Sequence, residues 1–140
     1  MMNNQQLGDL LIEINKNLKI KVERDFKKYG IGMGQLQILM VFYASPERRF
    51  SQNDLVKVLN VDKGNISRSV MKLQEKTYLS QSESGSKFYS LTESGMKLKS
   101  DIMANFIGLN HAMTIDIDAS ELIQIIMTLK KISKNLEELL

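Results

Sequence analysis

Apolar residues recur every third or fourth position at the start of the chain: Leu7, Leu11, Ile14, Leu18, Val22 and Phe26, with Leu10 widening the stripe. Glu13, Lys16, Lys19, Glu23 and Lys27 fall between them. This spacing predicts an amphipathic helix over about 7–29. Three glycines in the five positions Gly30-Ile-Gly-Met-Gly34 then favour a loop. A second helix is expected over about 35–44, with Leu36, Leu39, Met40 and Tyr43 inward. Ser45-Pro46 stops it, because a residue before proline is pushed out of helical geometry. Glu47-Arg48-Arg49-Phe50 reads as a connector with at most one rung of strand.

From Ser51 the pattern becomes more specific. The Ser51 hydroxyl can accept a free backbone N–H, and Asp54 three residues on can partly complete a capping box. A short third helix follows, with Leu55, Val58 and Leu59 inward and Asn60 as a left-handed cap. Asp62 caps a fourth helix to about residue 76. Its Ile66, Val70 and Leu73 point inward, leaving Asn65, Ser67, Arg68, Ser69 and Lys72 on other faces. Residues 79–83 and 87–91 read as two short strands joined by Ser84-Gly85-Ser86, with Phe88, Tyr89 and Leu91 supporting strand character. Thr92 caps a fifth helix to about 114. Ser120 caps a last helix carrying Leu122, Ile125, Ile126, Leu129, Ile132, Leu136, Leu139 and Leu140.

A helix, a tight turn, a second helix and a hairpin form a helix-turn-helix with a β-wing, in which the second helix enters the DNA major groove. The predicted class is mainly α: a winged helix-turn-helix with a small hairpin wing, flanked by N- and C-terminal helices. The 140 residues fit one domain. Residues 31–95 form its DNA-binding part, and 1–29 with 96–140 a helical dimerisation part. The terminal stripes carry more apolar surface than single helices of a small domain need.

Charge supports this division. The first fifty residues and the next fifty each carry +3, and the last forty carry −3. The basic excess thus lies with the motif, as a phosphate-facing surface requires. The chain has no cysteine and one histidine, His111. Thiol redox sensing and a dedicated zinc site are therefore not expected, and neither is a cofactor. His111 reads as a structural or interface residue, and the nine methionines mainly as core. No apolar run reaches a membrane span. The start lacks the pattern of a signal peptide, so a cytoplasmic location is expected.

Several segments in order carry a wider likeness: Ser51-Gln-Asn-Asp-Leu55, Val61-Asp-Lys-Gly-Asn-Ile-Ser-Arg68, Leu73-Gln-Glu-Lys-Thr-Tyr-Leu79 and Leu91-Thr-Glu-Ser-Gly95. The sequence resembles the multiple antibiotic resistance regulator (MarR) family of transcription factors over nearly its whole length. The resemblance implies a homodimer whose terminal helices interlock and whose two winged helices read a palindromic operator. It also implies a repressor released by a small organic ligand bound between the two parts. The wing departs from the family pattern. Ser82-Glu-Ser-Gly-Ser-Lys87 is short, and Lys87 is its only base where members commonly carry an arginine pair. It is expected to reach less deeply into a minor groove.

The expected DNA-binding residues are Ser51, Gln52, Lys63, Gly64, Asn65, Ser67, Arg68, Lys72 and Lys87. The planar Arg68 fork can bond guanine O6 and N7 together. Asn65 can reach an adenine edge or a phosphate, and Lys63, Ser67 and Lys72 have reach for either kind of contact. Gly64 lets the backbone approach DNA closely. Ser51 and Gln52 start the supporting helix, where they can touch the DNA backbone. No catalytic residue is expected. A winged helix used only for protein–protein contact stays open, although Lys63, Arg68 and Lys72 argue against it. An enzyme borrowing the fold would need a cofactor domain that this length does not hold. Gly30-Ile-Gly-Met-Gly34 also lacks the preceding strand of a phosphate loop.

Overall fold

The computed structural model describes residues 4–83 and 85–140. The element order is α1 (Asn4–Phe26), a 3-10 turn (Lys27–Tyr29), α2 (Met33–Ala44), β1 (Phe50–Ser51), α3 (Gln52–Leu59), α4 (Lys63–Glu75), β2 (Leu79–Gln81), β3 (Phe88–Leu91), α5 (Glu93–Met113) and α6 (Ala119–Glu138). The chain divides into two compact units, Met1–Asp101 and Ile102–Leu140. Within a single chain, α1 therefore groups with the winged-helix elements rather than with the C-terminal helices.

In the first unit α2 is the central helix. Gln35, Leu36, Ile38, Leu39, Phe42 and Tyr43 are buried along it, and Met40 is half-buried. It begins at Met33, two residues earlier than the glycines suggest. Gly30 takes the left-handed conformation that closes the preceding turn (φ 72°). Gly34 lies inside the helix, where it meets Ser69 of α4: a Cβ there would come within 2.8 Å of the Ser69 Oγ. Phe42 packs edge-on against Phe50 at 5.0 Å between ring centroids.

The sheet is antiparallel in the order β1-β3-β2, with Phe50 opposite Tyr89 and Leu79 opposite Leu91. The strands are shorter than the sequence suggests, and Ser84 of the expected loop lies outside the described residues. The Leu91-Thr-Glu-Ser-Gly95 segment has a clear task. Thr92 Oγ1 accepts the Gly95 N–H at 3.0 Å and donates to the Thr77 carbonyl at 2.5 Å. Any Cβ at Gly95 would run into the Tyr78 carbonyl. The Tyr43 hydroxyl donates to the Gly95 carbonyl at 2.7 Å, and burial raises its pKa well above the ordinary tyrosine value.

Other expectations are corrected here. Val58 is 59% exposed rather than inward. The buried direction of the short α3 runs from Leu55 toward half-buried Val56 and Leu59, and Val58 lies about 60° off Leu55 on the other side. Asp118, not Ser120, caps α6. Its carboxylate accepts the Glu121 N–H, and the Ser120 hydroxyl donates to it at 2.8 Å. Among the described residues the methionines do not fill the core: Met33, Met40 and Met103 are half-buried, and Met71, Met96, Met113 and Met127 are exposed. Leu, Ile, Val and Phe take the interior, where their stiffer side chains lose less rotamer freedom on burial.

Candidate nucleic-acid interface

The second helix of the helix-turn-helix, α4, is fixed at both ends by local chemistry. Asp62 accepts the Asn65 N–H at 2.9 Å. That N–H, helped by the Asn65 amide and the nearby Arg68 charge, holds the Asp62 carboxyl below the usual carboxylate range. At the other end the Tyr78 N–H donates to the Leu73 carbonyl and the Thr77 N–H to the Gln74 carbonyl, each at 2.9 Å. This is the double-bonded closure that normally uses glycine. Here Thr77 takes the left-handed position, at φ 64°.

The inner face of α4 holds Ile66, Ser69, Val70 and Leu73. Ser69, expected on another face, is buried. Its hydroxyl accepts from the Gln35 Nε2 at 3.2 Å, while the Gln35 Oε1 accepts the Gly32 N–H at 2.6 Å. Gln35 thus ties the start of α2 to α4. Nothing in the local sequence marks it, because the link joins residues 34 positions apart.

The turn before α4 is set by α3. Ser51 and Asp54 form the expected capping box: the Ser51 Oγ accepts the Asp54 N–H at 3.1 Å and the Asp54 carboxylate accepts the Ser51 N–H at 2.9 Å. Asn60 ends α3 in the left-handed conformation, at φ 52°. Ser51 is buried and engaged in its cap, directly before Gln52.

The expected DNA-binding residues separate onto two flanks of α4. Ser51, Gln52, Lys63 and Lys87 line one shallow cavity of about 160 Å³, together with Asn53 and Tyr89. Asn65, Arg68 and Lys72 line a second groove of about 580 Å³, which α1 and α2 complete with Lys19, Glu23 and Met33. Lys63, Gly64, Asn65, Arg68, Lys72 and Lys87 are exposed, and Ser67 is half-exposed.

Arg68 is held in place. Its Nη2 donates to the Asn65 Oδ1, and the Asn65 Nδ2 donates to the Asp62 Oδ2, both at 2.5 Å. Asn65 thus uses its amide here to link Asp62 to the guanidinium. Gly64 leaves room for the same group: a Cβ there would lie 3.3 Å from the Arg68 Nη1.

At the wing, Lys87 lies 5.4 Å from the Phe88 ring centre and Arg49 lies 5.7 Å from it. β1 thus brings to the hairpin an arginine that the wing itself lacks. The sequence reading treats Arg49 only as connector, because its proximity depends on the β1–β3 pairing.

Residues 29–86 match the model of the MarR family. No curated protein matches. Among solved structures, the chain is similar to a MarR transcriptional regulator from Methanosarcina mazei Go1, with 23% identity, TM-score 0.87, and 100% of this chain and 95% of that one covered. It is also similar to a MarR/EmrR family regulator from Acinetobacter sp. ADP1, with 26% identity, TM-score 0.75, and coverage of 98% and 99%. A third likeness is to the S. aureus MepR–DNA complex, with 21% identity, TM-score 0.81, and coverage of 97% and 99%.

Proposed function

We propose that this chain, which belongs to the MarR family, binds double-stranded DNA sequence-specifically as a homodimer on a palindromic operator, and represses transcription until a small ligand releases it. Members of the family are transcription regulators and not enzymes, and so is this chain. The observation that carries the DNA reading is the outward face of α4. Lys63, Arg68 and Lys72 are exposed there on a helix locked from within by Ile66, Ser69, Val70 and Leu73. That a similar fold has been solved as a DNA complex supports the reading. A target of this kind places the work of the protein in the cytoplasm. Among the described residues no helix is long and apolar enough to cross a membrane.

The groove between α1, α2 and α4 supports the ligand part of the proposal. Met33, Leu59 and Val61 give it apolar walls, and Lys19, Arg68 and Lys72 give it positive charge. Among the described lining residues Glu23 is the one acid against these three cations, so a small organic anion is the class of ligand proposed. Such a ligand would engage Arg68 and Lys72, two side chains that the operator also needs, and each would weaken the other's binding.

Selection of bound sequences from a random DNA pool tests the function. Arg68→Ala is expected to cost roughly 1–3 kcal/mol per half-site and to flatten one base preference. Arg68→Lys should restore affinity more than preference, because an ammonium lacks the planar fork. Lys87→Ala should lower affinity evenly over all sequences. Failure of the wild-type protein to enrich any sequence would refute the DNA reading. Full base preference in Arg68→Ala would make Arg68 a phosphate contact instead.

A further inference from the structure

Among the described residues of 31–95, two large apolar side chains are more than half exposed: Val58 at 59% and Met71 at 55%. Met71 stands on the recognition helix itself. At about 100° per residue, the outward crest opposite the buried row of Ile66, Val70 and Leu73 carries Gly64, Arg68 and Glu75, with Met71 on its edge, roughly 50° from the outermost direction on the side of Ser67. Gly64 offers no side chain at one end of this crest. Glu75, at the other end, carries a charge that phosphates repel. Met71 is left as the long apolar group between them, with Lys63 and Ser67 on one flank and Arg68 and Lys72 on the other.

An exposed methionine framed by cations on a groove-reading helix has a specific chemical counterpart. The major-groove edges of guanine, adenine and cytosine present hydrogen-bond donors and acceptors. Thymine adds the one apolar group, its C5-methyl. A thioether side chain is long, flexible and soft, so it can settle on a methyl group without demanding a fixed angle. Against cytosine it would instead cover the N4 amino donor and return no hydrogen bond, which is unfavourable.

Resting on the DNA-reading function above, we propose that Met71 is a specificity-determining residue. It packs on the C5-methyl of a thymine beside the base that Arg68 contacts. The recognition helix then reads each half-site with one polar and one apolar contact. The arginine selects a purine edge, and the methionine selects a methyl.

The test uses the operator obtained by selection, with each thymine replaced in turn by deoxyuridine, which removes only the methyl group. The wild-type protein is expected to lose about four-fold in affinity per half-site at one position, the worth of burying one methyl. Met71→Ala should bind the thymine operator weaker by a similar factor and should not respond to deoxyuridine at that position. Its own selection should lose the thymine preference there and keep the position set by Arg68. Met71→Leu should retain the preference, and Met71→Gln, of similar length but polar, should lose it. All three replacements are good helix formers, so α4 itself is not at risk. If the Met71 variants select the same sequences as wild type and show the same deoxyuridine response, this inference is wrong while the function above stands. If the wild-type protein selects nothing, the function fails and takes this inference with it.

Discussion

The helices α4 and α6 are built to a similar plan, each with apolar residues at helical spacing on one face and charges elsewhere. In α4 the row Ile66, Val70 and Leu73 is at most 2% exposed. In α6 no residue is buried: Ile123 is 60% exposed, Leu129 43% and Leu136 55%. The N-terminal half of α1 resembles α6 in this respect, with Ile12 at 70% and Ile14 at 54%. An apolar stripe closed inside one chain makes a fold. A stripe left open over a whole helix is the kind of surface that marks interaction sites. The first kind places Arg68, and the second supports the proposed second copy.

Substitutions in the two stripes should therefore fail in different ways. Leu129→Glu is expected to prevent dimer formation, since an obligate interface buries about 2,000 Å² or more and tolerates an unpaired charge poorly. DNA binding should be lost with it, because two recognition helices must lie about 34–36 Å apart. Its melting should no longer depend on protein concentration. Leu73→Ala should cost about 2–5 kcal/mol by opening a cavity in a closed core. That loss should be the same at every protein concentration. Calorimetry over a range of concentrations separates the two cases, and equal concentration dependence in both variants would dissolve the contrast.

A smaller effect is expected from Gly95→Ala. The added Cβ meets the Tyr78 carbonyl, which is backbone and cannot rotate aside. Destabilisation of about 1–3 kcal/mol should follow, measured by denaturant unfolding. A neutral result would mean that α5 can shift against the sheet without cost.

The smallest effect concerns acid. Backbone N–H donors hold Asp62 and Asp118 below their ordinary values, at the starts of α4 and α6. A depressed carboxylate contributes stability that is full above its unfolded pKa, about 3.9, and is lost as the pH falls through the lower folded value. Asp62→Asn keeps a capping oxygen and removes the titration. Below about pH 4 its melting temperature should fall less steeply than that of the wild type. Parallel acid limbs would show that the cap does not titrate.

The sequence is most legible where the signal is local. Ser51 with Asp54, Asn60 and Asp62 are caps that act within a few residues, and each stands where the spacing puts it. The buried row of α4 follows from helical periodicity. What escapes is what depends on a distant neighbour. Ser69 is inward because Gly34 and Gln35 of α2 come to meet it. Arg49 joins the wing through strand pairing. Asp118 and Ser120 are both good caps, and only the geometry of the turn before α6 decides between them. In the candidate interface, the positions of Lys63, Arg68 and Lys72 could be read from the sequence. The tether from Asp62 through Asn65 to Arg68 could not, since it depends on rotamers. Nor could the exposure of Met71, because methionine in an amphipathic helix reads as core.

Sedimentation of the protein with its selected palindromic duplex bears most directly on a dimer that reads DNA. The account predicts a complex heavier than the duplex by twice 16.0 kDa. That complex should weaken with salt, with a slope in log K of about −0.9 for each phosphate contacted. A complex holding a single chain, or affinity that does not change with salt, would contradict it.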